Sequence, residues 1–328
     1  MKIYFKSKST FRTVASADVL SASICVDSTD GQASTVTAVG EYGRTLSDQW
    51  AVYDGLLFLV SKVTPQEGRT LFTLLDPVDA FSRPLIYTAP AGVSNAAAYV
   101  ASIIYSEYVN QSDPVYALPY ISVFNPDTIA FIPPETDSDG LFKLSDYIRL
   151  LRRMLNFKLT WTISGNALQL TLLKGASTAR RIVFNDGHTQ LSTAAYSRSG
   201  LAKLTVIMQH EDGSTDRTDY YLAEDGSVST SMPARRAEGQ WDIITVAANQ
   251  DPLQKAEEAF AKNKASHKVE FYSDRDYSVY DPCVISLYGE LLSSHISYKG
   301  KASGDSRWLY KSGELAVTAT EKLKGGRV

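Results

Sequence analysis

The chain has 328 residues, 44% of them hydrophobic, so it is long enough for two or three domains with buried cores. Its 33 Lys and Arg residues against 36 Asp and Glu give a formal net charge of -3, which excludes the basic surface of a tight duplex-binding protein. No stretch approaches the roughly 18 apolar residues of a membrane span, and the N-terminus lacks the apolar segment of a signal peptide. We therefore expect a globular protein that folds in the cytosol, without stable membrane insertion.

The two cysteines, Cys25 and Cys283, lie far apart and belong to no metal-ligand spacing such as C-x-x-C. Cysteine in this setting is typically a small buried residue. The pattern therefore predicts two buried thiols in a reducing compartment and no bound metal.

Residues 1 to about 88 follow a period of two, which is typical of half-buried strands. The segment 50–63 predicts two strands joined by an Asp54-Gly55 turn, and Pro65 and Gly68 separate the next strand. Several short strands with tight turns predict a small antiparallel barrel or sandwich that ends at Asp76-Pro77.

Residues 89–180 predict an α+β domain of two helices and a hairpin. Apolar residues at helical spacing indicate a first helix over 94–109, with Ser94 as its cap, and a second over 144–156. In the second helix, the apolar side chains, including Met154, are predicted to lie along one face. Three arginines (Arg149, Arg152 and Arg153) lie opposite them and are predicted to be a solvated face or an interface salt-bridge set.

Residues 157–172 then predict a hairpin with a turn at Ser164-Gly165-Asn166. The segment between the helices, about 110–140, is rich in proline and acidic residues and is predicted to be irregular, with one short strand at 120–124.

From residue 181 to 328 the period of two returns and predicts a second β domain. It includes one helix at about 252–264, with Asp251 as cap and Pro252 in the first turn. Near the end of the chain, after Tyr310, a predicted strand carries Leu315 and Val317 on one face and Thr318 and Thr320 on the other. These five residues are the candidates for strand packing or for a subunit interface, and we expect Asp at Leu315 or Val317 to lower stability or block assembly.

The sequence offers no catalytic signature. None of the four histidines has a second histidine at the spacing of a zinc pair. The carboxylates of three turn segments (Asp137 and Asp139, Asp212 and Asp216, Glu224 and Asp225) lack the apolar setting that raises a catalytic pKa. We predict no enzymatic activity, no cofactor and no metal site.

The C-terminal third resembles the hub module of tailed-phage baseplates and tail tips. The resemblance is carried by a helix at 252–264 and by three short patterns that follow it: Tyr280-Asp281-Pro282, Ser294-His295-Ile296-Ser297, and Tyr310 through Leu315. The segment 53–87, with its Asp-Gly hairpin and Asp-Pro exit, is similar to the first barrel of that family.

This resemblance implies a mixed α+β, β-rich fold: two small antiparallel, tube-like β-barrel domains (1–88 and 181–328) with the α+β domain (89–180) between them. It also implies a homotrimeric ring that joins the tail tube or distal tail protein to a tip fibre or spike. DNA would pass through the ring only in transit, and the net negative charge of the chain suits such a channel. The expected location is the virion tail tip, after assembly in the host cytoplasm.

Two other classes stay open on the residues alone. The first is a tail-associated or secreted hydrolase of cell-wall glycan or peptide. The second is a receptor-binding or carbohydrate-binding β module, for which the 19 tyrosines would supply contact area.

Overall fold

The structure is a computed structural model, which describes residues 1–29, 31–88, 90, 92–197, 200–210, 212–223, 227–234, 240–262, 266–287, 290–313 and 316–317. The chain is 50% strand and 15% helix, which confirms the β-rich α+β class predicted from the sequence. It divides into two compact units, residues 1–190 with 271–312, and residues 191–270 with 313–328. The boundaries near residues 88 and 180 stay predictions.

Six antiparallel strands of the first unit form a closed barrel. They run in the hydrogen-bonded order β1-β4-β5-β6-β3-β2, and β2 pairs again with β1 to close the ring. The sequence was compatible with either a barrel or a sandwich, and the pairing of β2 with β1 shows that the strands form a barrel. The strands are β1 (Lys2–Lys6), β2 (Thr13–Ser28), β3 (Ser34–Val39), β4 (Trp50–Tyr53), β5 (Leu56–Gln66) and β6 (Arg69–Leu75).

The barrel is filled from the inside by every second residue of its strands, as the period of two requires. Ile3 and Phe5 of β1 and Phe72 and Leu74 of β6 are fully buried, and the rings of Phe5 and Phe72 lie 4.7 Å apart. The predicted turn between β4 and β5 places Asp54 and Gly55 at φ 52° and 75°, the left-handed conformation of a tight hairpin.

The α+β part follows the barrel in the same unit. A short 3-10 turn (Pro77–Phe81) leads into its elements, which are β7 (Pro84–Ile86), α1 (Ala96–Ile104), β8 (Ile121–Phe124), β9 (Leu141–Lys143), α2 (Leu144–Leu155), β10 (Phe157–Ser164) and β11 (Ala167–Lys174). Strand β11 pairs with β10 antiparallel and with β8 parallel, while β7 pairs with β9.

Both predicted helices are present. α1 continues as a π turn over Tyr105–Val109, and its cap is Asn95 rather than the predicted Ser94, because the Asn95 side chain accepts from the Ala97 N–H at 3.0 Å. α2 ends at Asn156, which takes the left-handed conformation at φ 48°. The prediction for Met154 was wrong: its side chain is 61% exposed, because it falls at the edge of the apolar stripe.

The first unit is completed by strands from the C-terminal third and by β12 (Arg180–Val183). β19 (Pro282–Leu287) pairs with β12 in parallel and with β20 (Glu290–Ala302) antiparallel, and β20 pairs with β21 (Trp308–Ser312). The last residues of β2 also pair with β20, so the barrel sheet continues into these strands. We refer to β19, β20 and β21 as the C-terminal ladder.

The second unit contains a four-stranded sheet covered by a helix. Its strands are β14 (Leu201–Gln209), β15 (Thr215–Leu222), β16 (Val228–Ser229) and β17 (Gln240–Ala247), in the order β16-β15-β14-β17, and its helix is α3 (Pro252–Lys262). Leu204, Val206 and Tyr220 pack with Ala256 and Phe260 of α3. The Asp251 side chain caps α3 as predicted, accepting from the Leu253 N–H at 2.9 Å.

Strands β13 (Thr189–Ser197) and β18 (Ser266–Ser273) each have residues in both units, and β22 is the short segment Ala316–Val317. Both cysteines are buried and free, as the sequence predicted. Within the described ranges, no helix has the length and apolar character needed to cross a membrane.

Candidate functional site

The three short patterns that carry the family resemblance, as far as the structure describes them, meet at the C-terminal ladder. Pro282 lies opposite His295 in the register of β19 and β20, and Ile296 lies opposite Ser312 of β21. The Tyr280 N–H donates to the Ile296 carbonyl at 2.8 Å, and the Ile296 N–H donates to the Asp281 carbonyl at 3.0 Å. Segments that are separate in the sequence therefore form one continuous hydrogen-bonded unit.

Tyr280 adopts a left-handed backbone conformation, with φ 68°, that is uncommon for a bulky side chain. Its backbone bond to Ile296 holds this conformation, and its ring stacks on the imidazole of His295 with centroids 6.3 Å apart and planes at 10°. Burial of the His295 ring lowers its pKa, so His295 is neutral near pH 7. This histidine is a packing residue of the ladder.

Asp281 is a deeply buried carboxylate of these patterns, with 1% of its surface exposed. It accepts from the Lys158 ammonium at 2.6 Å, from Asn156 Nδ2 at 3.3 Å and from the Ser278 N–H at 3.2 Å. A buried charge must be paired and hydrogen-bonded, and these three donors meet that requirement. Sequence reasoning missed Lys158 and Asn156, because neither lies near Asp281 along the chain.

Tyr310 belongs to β21 of the ladder, and its side chain is fully buried. Its ring stacks on Phe271 at 5.4 Å and meets the edge of Tyr277 at 5.2 Å, while its hydroxyl donates to the Arg275 carbonyl at 3.0 Å. The structure thus places this candidate in strand packing. Of the other four candidates, Leu315, Thr318 and Thr320 lie outside the described residues, and Val317 belongs to β22 without a described side chain.

Arg152 joins α2 to the barrel. Its guanidinium Nη1 lies 3.2 Å from Asp27 Oδ1 near the end of β2 and 2.9 Å from Asp76 Oδ2 just after β6. We call these three residues the Arg152 cluster. The prediction of a solvated face was therefore wrong for Arg152, which is 8% exposed. The face of α2 that carries Arg152 packs against two acidic residues of the barrel.

The Arg152 cluster holds one cation and two carboxylates, so it carries an excess negative charge. Burial, together with the charge of Asp76, raises the pKa of Asp27 to about 6 in spite of the favourable Arg152 charge. The same two carboxylates raise the pKa of Arg152, which stays charged. Next to the cluster, Arg149 pairs with Asp79 at 2.6 Å, so the neighbouring arginine also contacts the segment that leaves the barrel.

Of the described carboxylates that were weighed as catalysts, Asp137, Asp139 and Asp212 belong to turns and Asp216 lies in β15. Asp137 accepts from the N–H groups of Asp139 and Leu141, Asp212 accepts from Ser214, and Asp216 lies 2.9 Å from His210. Hydrogen bonds from Ser214 lower the pKa of Asp212. Glu224 and Asp225 lie outside the described residues. In the part of the chain that the structure describes, no three His, Cys, Asp or Glu side chains form a metal-binding group.

Comparisons by sequence find no matching family model and no matching curated protein. Comparison of the fold finds similar solved structures. The chain resembles phage tail and baseplate proteins. A chain of the phage p2 virion baseplate in its activated conformation matches with a TM-score of 0.48 and 12% identity, over 94% of this chain and 98% of that one.

Two prophage proteins match over a similar span. The tail protein gp18 of Listeria monocytogenes gives a TM-score of 0.43 and 9% identity over 99% of this chain and 98% of that one. The 43 kDa tail protein of prophage MuSo2 from Shewanella oneidensis gives a TM-score of 0.38 and 11% identity over 97% of this chain and 98% of that one.

Proposed function

We propose that the chain is a structural protein of a phage tail tip: a homotrimeric baseplate hub that joins the tail tube or distal tail protein to a tip fibre or spike. It has no catalysis of its own in this proposal, and DNA contacts it only while passing through the ring. The observation that carries the proposal is the assembly of the three hub-like patterns into the C-terminal ladder, where Tyr280, Asp281 and Ile296 exchange backbone hydrogen bonds.

The first barrel adds independent support. The segment that resembles the family's first barrel, residues 53–87, supplies β5 and β6 of the closed ring and the 3-10 turn that leaves it. Closure removes the free edges of these strands, which is how a β-rich protein of this kind stays soluble before assembly. The net charge of -3 fits a surface that DNA must pass without being held.

The hydrolase alternative needs an acid and a base on either side of a substrate bond. Of the described candidates for these roles, Asp137 and Asp212 accept hydrogen bonds from backbone N–H groups of their own turns. For Asp212, hydrogen bonds from Ser214 lower the pKa and so disfavour the role of general acid. The structural role is therefore the better account of these residues.

The test uses virions produced from the genome that encodes this chain, together with the purified chain. We expect antibody labelling at one end of the tail, three copies per virion, and a trimer by light scattering when the distal tail protein is present. A chain that is absent from virions, or that stays monomeric with its tail partner at high concentration, would overturn the proposal. Turnover of peptidoglycan that is lost on changing one carboxylate would instead establish the hydrolase.

A further inference from the structure

A cleft of about 280 Å³ lies in the first unit, between the barrel and the α+β part. Three runs of consecutive residues line it: 55–58 at the start of β5, 157–161 of β10, and 276–279 in the loop before β19. The side chains of a strand alternate between its two faces. A run of consecutive strand residues therefore borders the cleft with the edge of the strand, where the backbone N–H and C=O groups point.

β10 borders the cleft with a free edge, because it is the outer strand of its sheet, whose order is β10-β11-β8. The two-residue turn makes Ser164 and Ala167 a hydrogen-bonded pair, and hydrogen-bonded and non-hydrogen-bonded pairs alternate from there along β10 and β11. Leu159 and Trp161 fall in non-hydrogen-bonded pairs, so their backbone groups point away from β11. Within the described residues, these backbone groups form no other hydrogen bond.

A second wall of the cleft belongs to the barrel. Leu57 of β5 lies in the second pair of the β4–β5 hairpin, so its backbone groups point away from β4. On that side, β6 pairs with β5 only from Leu59 onward. The chain leaves the sheet after Leu75 at Asp76-Pro77, and these two residues also line the cleft. No described strand therefore pairs with Leu57 on the side of the cleft.

Ion pairs decide which charge the cleft accepts. Of the described residues that line it, three are cations and each is paired with a carboxylate. Lys158 lies 2.6 Å from Asp281, Lys299 lies 2.5 Å from Asp276, and the third is Arg152. The Arg152 cluster holds two carboxylates for one cation. An acidic occupant would find no free cation among these residues, whereas a basic side chain would offset the excess negative charge.

We propose that the cleft is a strand-addition site, in which an extended segment of a partner protein pairs with the edge of β10 through Leu159 and Trp161. The pairing satisfies backbone groups that otherwise depend on water. Leu57 and Val279 supply apolar contacts for alternate side chains of the segment, and a Lys or Arg of the segment lies near the Arg152 cluster. Three walls border the cleft, so it admits one extended segment and not the edge of a folded sheet.

This proposal goes beyond the hub role, and it can hold or fail whether or not the chain forms a trimeric ring. The first experiment selects ligands of the full chain from a random decapeptide library. We expect the selected peptides to combine alternating apolar residues with a Lys or Arg. A selection that yields no binding peptide would overturn the proposal.

Leu159→Pro removes the edge N–H of β10 without removing a hydrogen bond to β11. We expect it to weaken binding of the selected peptide about tenfold. Ile163→Pro is the matched control, because Ile163 points its backbone to the same edge of β10 but does not line the cleft. It should bind the peptide as the wild type does, and equal losses in the two variants would count against pairing at the cleft.

Amide hydrogen exchange of the wild type decides the matter even if a variant does not fold. Saturating peptide should slow exchange at Leu159 and Trp161 about tenfold or more and leave Ile163 unchanged. Methylation of one alternate set of peptide nitrogens should abolish binding, because those N–H groups pair with β10. Equal protection at Leu159 and Ile163, or binding that tolerates methylation of either set, would overturn the proposal. So would protection of Leu159 that rises with protein concentration alone, since a second copy would then be the occupant.

Discussion

Arg152 Nη1 donates to Asp76 Oδ2 at 2.9 Å, and this contact ties helix α2 to the residue that caps the turn after the barrel. Arg152→Met should lower the free energy of unfolding by about 2–4 kcal/mol, because both Asp27 and Asp76 lose their cation in a mostly buried place. Arg153→Met is the matched control on the same helix: Arg153 is 64% exposed at 4.0 Å from Glu135, so we expect almost no change. Urea denaturation of the two variants checks this, and equal losses would contradict it.

Asp27→Asn should stabilise the protein at pH 7.5. The folded pKa of about 6 lies above the ordinary value, so the stability that Asp27 contributes is full below about pH 4 and is lost as the pH rises through 6. Because a quarter of the Asp27 side chain is exposed, we expect the free energy of unfolding to rise by only about 1–2 kcal/mol at pH 7.5 in the variant. This gain should vanish near pH 4. The measurement is the difference between variant and wild type in urea denaturation at several pH values.

Asp139→Asn serves as the control for this pH series, because Asp139 is exposed in a turn. Its difference from the wild type should stay small at each pH. A stabilisation by Asp27→Asn that is equal at pH 4 and pH 7.5 would show that the Asp27 proton is not responsible.

Gly300 lies against the backbone of β2. A Cβ at this position would stand 2.4 Å from the Ile24 carbonyl oxygen and 2.3 Å from the Tyr298 hydroxyl, and the carbonyl cannot move without disturbing the β2–β20 pairing. Gly300→Ala should therefore lower stability by about 1–3 kcal/mol in thermal or urea denaturation. Gly43→Ala is the control, since Gly43 has φ -85° and no atom within 4 Å of its added Cβ. If both variants unfold alike, the close approach at Gly300 is not a constraint.

Tyr310→Phe should lower stability by about 1–2 kcal/mol without changing the fold. The variant keeps the stacking on Phe271 but leaves the Arg275 carbonyl without its hydroxyl donor and the Tyr277 N–H without its acceptor. Tyr4→Phe, at a side chain that is 44% exposed, is the control and should stay near the wild type. Near-ultraviolet circular dichroism would check that the aromatic packing survives, and an unchanged midpoint for Tyr310→Phe would count against the role of these bonds.

Local features of the structure could be predicted from the sequence. The hairpin at Ser164 to Ala167, the two helices of the α+β part and the Asp251 cap depend on side-chain periodicity and on turn or capping residues within a few positions of one another. The three hub-like patterns were also visible, because each is continuous in the chain.

The partners of buried charges could not be predicted in the same way. Arg152 is separated from Asp27 by 125 positions and from Asp76 by 76, and Asn156 contacts Asp281 across another 125. An arginine on the helix face opposite an apolar stripe gives the same sequence pattern in two cases. Its side chain is either solvated or paired with two carboxylates of another element. Only the packing of α2 on the barrel selects between these outcomes.

The sequence by itself therefore determined the strand and helix segments, the buried cysteines and the resemblance of the C-terminal third, since all of these rest on local spacing. The tertiary structure alone decided that the first six strands close into a barrel, that the separated patterns form one ladder, and that Asp27, Asp76 and Arg152 share one site. The physical reason is that ring closure and the pairing of buried charges depend on contacts between residues distant in the chain. These contacts depend on which distant residues become buried together, and no local pattern records that.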